Sequence, residues 1–238
     1  MSGHNKWSKI KHIKAVQDSK KAAVFTKMAR NITIAARNGG GDPETNFELR
    51  MAIDKAKSVN MPKDNIDRAI KKGTGELAGD SLEELYYEGM GPANTQFIVK
   101  SVTDNKNRSA ANIKHAFTKH GGGFASVMWN FRQMGVIIVR HEELPQGELE
   151  DLELELIDAG AQDIRSEQEG WTIYTKPTEL KQVSNVLDKQ GIKMESADLE
   201  YIPQDSQELS EEDQEKVDKF IEELEDCEDV SDYYTNIV

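Results

Sequence analysis

Between Met134 and Pro203 the spacing of apolar residues switches repeatedly between strand and helix periods, and that order constrains the fold more than any other feature. MGVIIVR (134–140) is a short apolar run of strand type. Glu148–Ala159 then places Leu149, Leu152, Leu156 and Ile157 at helical spacing. Gln162–Ser166 and Gly170–Thr175 read as two strands hinged at Glu167–Glu169. Thr178–Gln190 is expected to be a helix burying Leu180, Val183, Val186 and Leu187, and Met194–Tyr201 a closing strand. The order is β-α-β-β-α-β, the split ferredoxin-like arrangement. Right-handed crossovers then put both helices on one face of a single sheet.

The flanking segments supply the rest of the architecture. Leu85–Glu88 and Gln96–Thr103 read as strands separated by a turn at Gly89-Met90-Gly91-Pro92. Ser109–Lys119 reads as a helix stopped by Gly121–Gly123. Beyond Pro203, residues 205–229 hold 13 Asp and Glu against Lys216 and Lys219. Ser210 with Glu211, Glu212 and Asp213 still makes a good helix start, and Val217, Phe220, Ile221 and Leu224 form one apolar stripe. A last strand at Val230–Ile237 would complete the β-β-α begun at 82–120. Upstream, a helix is expected from Asp18 to Asn38, burying Phe25, Met28, Ile32, Ala35 and Ala36. Asp42-Pro43 is read as the cap and first residue of a second helix, which buries Leu49, Ala52, Ile53 and Ala56. A third runs from Pro62 to Gly73 and buries Ile66, Ala69 and Ile70. The predicted fold is α+β: an N-terminal three-helix domain followed by two α/β ferredoxin-like domains, the last inserted in a discontinuous middle domain. The boundaries are 1–17 for a basic flexible arm, 18–80 for the helical domain, 81–131 plus 204–238 for the middle domain, and 132–203 for the insertion.

Charge divides along the same lines. The chain carries a net −13, yet residues 1–72 hold 16 Lys and Arg against 7 Asp and Glu, and the remainder holds 14 against 36. A polyanion is attracted by the first region and repelled by the second. Lys6, Lys9, Lys11 and Lys14 lie in the arm with Trp7, His4 and His12 among them. Lys20, Lys21, Lys27, Arg30 and Arg37 follow, most of them on the helix face opposite the apolar stripe. Clustered cations release counterions from a phosphate chain, and an exposed Trp offers a stacking plane. The candidate nucleic-acid-binding residues are therefore Lys6, Trp7, Lys9, Lys11, His12, Lys14, Lys20, Lys21, Lys27, Arg30 and Arg37. DNA and RNA, including ribosomal or transfer RNA, remain open. Arg30, Asn31, Arg37 and Asn38 are the only modest base-reading candidates, so the pattern leans towards shape or backbone recognition. The acidic α/β domains offer surfaces to protein partners, and a basic arm meeting an acidic protein is a third reading.

Other chemistry lacks a signature. The histidines have no Cys or carboxylate at zinc-site spacing, so no metal and no cofactor is expected. GTGELAG (73–79) is no dinucleotide fingerprint, no Walker sequence or nucleophile elbow occurs, and HGGGF (120–124) reads as a turn. EGWTIYT lacks the aromatic pattern of an RNA-recognition sheet. The single cysteine, Cys227, excludes an internal disulfide and suits a reducing compartment, and neither a membrane span nor a signal peptide is read. The expectation is a cytoplasmic non-enzyme without a small-molecule substrate.

MSGHNKWSKIKHIKAVQDSKKAAVFTKMAR, GGGDPETN, LRMAIDKAKSVNMPKDNIDRAIKKG, YEGMGP and the DNKNR-to-HAFTKHGG stretch resemble the YebC/PmpR family. The resemblance spans the chain in order and is most specific in residues 1–131. It implies an N-terminal helical bundle with two α/β domains, one inserted in the other. It also implies a DNA-binding transcriptional regulator, or a ribosome-associated factor that helps translation through proline runs; mitochondrial translational activators belong to the same family. The family's basic N-terminal segment maps onto Lys6, Trp7, Lys9, Lys11, His12, Lys14, Lys20 and Lys21. GGGFASVMWNF (121–131) is several residues shorter than the family's usual loop.

Overall fold

The computed structural model describes Trp7 and residues 21–79, 81–147 and 149–238. Its N-terminal helices are α1 (Lys21–Gly39), α2 (Phe47–Ser58) and α3 (Lys63–Gly73). Met28, Ile32, Ala35 and Ala36 of α1 meet Leu49, Ile53 and Ala56 of α2 and Ile66 and Ala69 of α3 in one core, with Ile70 half-buried at its edge. The second helix starts later than its sequence suggests. Asp42 folds into a turn, its carboxylate accepting from the Glu44 N–H at 3.0 Å, and Asn46 is the cap. Asn46 does two jobs: its Oδ1 accepts from the Leu49 N–H, and its Nδ2 donates to the Ala35 and Gly40 carbonyls. A cap that also ties α1 to α2 outcompetes a cap that serves one helix.

Strands β1 (Glu83–Met90) and β2 (Gln96–Thr103) form an antiparallel hairpin. Gly89 and Met90 belong to β1 rather than to the turn, which is Gly91–Thr95; Ala93 and Asn94 there take φ of 53° and 58°. Helix α4 (Lys106–Lys119), capped by Asn105, leads to β3 (Gly123–Phe124), and the sheet is closed by α7 (Glu211–Asp226) and β8 (Val230–Thr235) from the C-terminal segment. Strand order is β3-β1-β2-β8. Phe97, Val99 and Tyr233 pack with Ile113 and Phe117 of α4 and Phe220 and Leu224 of α7. The alternate residues of β2, Ile98 and Val102, point to the other face and are also buried. Helix α1 lies against β2 and β8.

The second sheet is built from β4 (Phe131–Arg140), α5 (Leu149–Asp158), β5 (Ala161–Ser166), β6 (Gly170–Thr175), α6 (Leu180–Lys189) and β7 (Ser196–Pro203). Its order, β5-β6-β4-β7, is the ferredoxin-like one that the element order predicts. The first sheet has the same spatial plan when β2 is matched to β4, with one permutation: the strand in the position of β6 is β1, which enters first in the chain. The fold is thus α+β, with two compact units, one running to Phe131 and resuming at Pro203–Val238, the other Arg132–Ile202. Among the described residues no helix is long and apolar enough to cross a membrane.

Candidate nucleic-acid interface

Lys6, Lys9, Lys11, His12, Lys14 and Lys20 lie outside the described residues. Trp7 does not: it is buried, with 2% of its surface exposed. The expected stacking plane is therefore withdrawn from solvent.

The cations of α1 divide into two groups. Lys27 donates to the Glu225 carbonyl near the end of α7, and burial pushes its ammonium below the usual lysine range. Arg30 donates to the Glu228 carbonyl at 2.8 Å and pairs with the Asp229 carboxylate at 3.1 Å. Its neighbour Asn31 accepts from the Ser231 hydroxyl at 2.7 Å. Two of the expected phosphate ligands, Lys27 and Arg30, are thus committed inside the protein, where they meet carbonyls and carboxylates of the C-terminal segment. The reason is geometric. The face of α1 opposite its three-helix core is not open, since the sheet of β2 and β8 packs there.

Asp229 is the centre of this joint. Its side chain is 2% exposed and takes Arg30 on one side and Arg108 on the other, with Arg108 Nε at 3.0 Å and Nη2 at 2.7 Å. Burial alone would push the carboxyl up, but the hydrogen bonds and charge of Arg108, with Thr103 and Arg30, hold it below the ordinary carboxylate range. A register shift of β2 against β8 at Lys100 and Ser101 lets the Asp229 carbonyl accept from the Val102 N–H and the Ser101 hydroxyl.

The exposed cations sit elsewhere. Arg37 ends α1, exposed, with one guanidinium N–H on the Leu82 carbonyl. Arg68, Lys71 and Lys72 are exposed on α3. The C-terminal ends of α1 and α3 are drawn together at Gly73, where a Cβ would meet the Thr33 carbonyl at 2.5 Å and the Ala36 Cβ at 2.6 Å. The same approach sets Gly73 beside the backbone of Arg37, so Arg37 and Lys72 come from adjoining helix ends. The sequence pattern alone does not single out Arg68, Lys71 and Lys72, although RAIKKG at a glycine stop carries three cations that the apolar stripe of α3 leaves outside. Lys21 is exposed as well. Among the described residues no group of His, Cys, Asp or Glu is placed to hold a metal.

Residues 5–76 match the TACO1/YebC protein N-terminal domain, and residues 82–237 match the TACO1/YebC second and third domain. A "probable transcriptional regulatory protein" of Thermoanaerobacter pseudethanolicus is 47% identical over 240 residues, covering 100% of this chain and 97% of the relative. Another of the same name, from Caldanaerobacter subterraneus subsp. tengcongensis, is 46% identical, covering 100% and 98%. Among solved structures, a conserved hypothetical protein of Aquifex aeolicus superposes with a TM-score of 0.81 at 39% identity, over 93% of this chain and 91% of that one. The chain belongs to the TACO1/YebC family.

Proposed function

We propose that the protein is a non-enzymatic regulator of gene expression that binds nucleic acid through the phosphate backbone. The observation that carries this reading is the exposed basic group at the joined ends of α1 and α3, Arg37, Arg68, Lys71 and Lys72, in the basic N-terminal part of an acidic chain. Cations gathered on rigid helix ends neutralise neighbouring phosphates without the entropy cost of ordering a loop. The relatives' name, probable transcriptional regulatory protein, supports a role in transcription, and the ligand proposed first is therefore duplex DNA, bound by a DNA-binding transcriptional regulator.

One observation favours RNA, as in a ribosome-associated translation factor. Reading bases in the major groove needs side chains with unengaged polar ends. Arg30 and Asn31, two of the four base-reading candidates, direct theirs to the C-terminal segment. What remains suits a backbone of fixed shape, which structured RNA presents.

Salt-titrated fluorescence anisotropy on duplex DNA, structured RNA and ribosomes tests both readings. The triple variant Arg68→Gln/Lys71→Gln/Lys72→Gln is expected to flatten the salt dependence by roughly two to three units of log–log slope, at about 0.7–0.9 for each phosphate no longer neutralised. Lys27→Met should leave the slope unchanged. Unaltered affinity and slope in the triple variant would remove this surface from the interface.

A further inference from the structure

We infer that the outer face of α5, with the cavity beside it, is a docking surface for a basic segment of a partner protein. The helix reads LEDLELELID, and only Leu152 and Leu156 are buried. Leu149, Leu154 and Ile157 stay exposed, Leu154 at 61% and Ile157 at 49%. Leu154 and Ile157 are three residues apart and therefore neighbours on the helix surface. A helix lying on a sheet needs one apolar stripe. A second one facing water adds no stability to the fold and is the usual mark of a contact surface.

Charge identifies the occupant. Helix α5 contains Glu150, Asp151, Glu153, Glu155 and Asp158 and no Lys or Arg. On its flank is a cavity of about 340 Å³ in which Leu152, Ile192 and Pro145 supply apolar wall and Glu143, Asp151 and Glu155 supply carboxylates. Gln190 donates to the Glu155 carboxylate at 3.0 Å and fixes its position. This combination matches a lysine or arginine side chain, whose methylene stem seeks apolar contact while its head seeks anions. Apolar residues of the same segment would then cover Leu154 and Ile157. Phosphate is repelled by the five acids of the helix, so nucleic acid is not the occupant. A neutral apolar ligand fits poorly too, because it would desolvate carboxylates without pairing them.

The proposal is independent of the nucleic-acid reading, whose surface lies on α1 and α3. Its test uses the full chain carrying the photo-crosslinker p-benzoylphenylalanine in place of Leu154 or Ile157, with the same substitution at exposed Lys181 of α6 as control. Cells are irradiated, the crosslinked protein is sequenced, and its purified form is titrated against wild type and variants. The expected result is one protein target, seen from α5 and not from α6, crosslinked through a Lys- or Arg-rich segment. Its Kd should rise at least tenfold for Leu154→Lys/Ile157→Lys and also for Asp151→Asn/Glu155→Gln, while Tm and nucleic-acid affinity stay as in wild type, all four side chains being exposed. Crosslinks to nucleic acid alone, to a second copy of this chain or to nothing would overturn it. So would a purified target whose Kd ignores both pairs of substitutions.

Discussion

A carboxylate with 2% of its surface exposed stays ionised only if cations reach it, and Asp229 has Arg30 from α1 and Arg108 from α4. Asp229→Ala is expected to lower the unfolding free energy by about 2–4 kcal/mol, because it leaves the largely buried Arg30 guanidinium without its carboxylate, while Arg108 is exposed and regains water. Urea unfolding of wild type and variant measures this. The sign of its pH dependence follows from the depressed folded-state carboxyl. The contribution is complete above the unfolded-state carboxyl pKa of about 3.9 and is lost as pH falls through the still lower folded value. The gap between wild type and Asp229→Ala should therefore be flat from neutral pH down to about pH 4 and close only below it. A gap that closes near pH 6 would point to a different titrating group. None of this pairing could be read from the sequence. Arg30 and Asp229 are 199 positions apart, and on a helical wheel Arg30 looks like any solvated cation.

At the scale of elements, the second packed side of α1 has a visible clue in the sequence. Its wheel carries the expected stripe of Met28, Ile32, Ala35 and Ala36, but Ile34 falls among Lys27, Arg30 and Arg37, and Ile34 is buried. An isoleucine inside a cationic face indicates packing there too, here against β2 and β8. By contrast, the element order of the insertion is legible because its segments switch between strand and helix spacing with clear stops between them. Boundaries blur where a tertiary contact sets them: Asn46 replaces Asp42 as cap because it also reaches the carbonyls of Ala35 and Gly40. Gly73 makes the same point with a sign. Replacing glycine by alanine in a helix ordinarily stabilises it by up to about 1 kcal/mol. Here the new methyl would sit 2.5 Å from the Thr33 carbonyl, so α1 and α3 must move apart. Gly73→Ala should instead destabilise by about 1–3 kcal/mol, and a thermal melt gives the sign directly. A raised Tm would mean that the two helix ends are looser than described.

For the molecule as a whole, the chain crosses from the host unit into the insertion after Phe131 and back at Pro203. Asn130, which is buried, holds both chains of that crossing. Its Oδ1 accepts from the Asp205 N–H at 2.9 Å, and its Nδ2 donates to the Asp205 carbonyl at 2.9 Å and to Gln96 Oε1 at 2.7 Å. Its own carbonyl accepts from the Gln204 N–H at 2.7 Å. The chain thus leaves and re-enters the host at hydrogen-bonding distance, the arrangement in which a domain can be removed without stretching its parent. Replacing residues 132–202 by a short Gly-Ser linker should leave a host that melts cooperatively, since its core of Phe97, Phe117 and Phe220 is built by β2, α4 and α7 of the host. The excised stretch carries 16 acidic and 7 basic residues, so its loss removes long-range repulsion of phosphate. Nucleic-acid affinity of the shortened chain should therefore exceed that of wild type at low salt, and the two should converge as ionic strength shortens the Debye length below about 8 Å. A deletion chain that folds yet binds more weakly at every salt concentration would mean that the insertion itself touches the nucleic acid, and the acidic unit would then have to be counted as part of the binding surface.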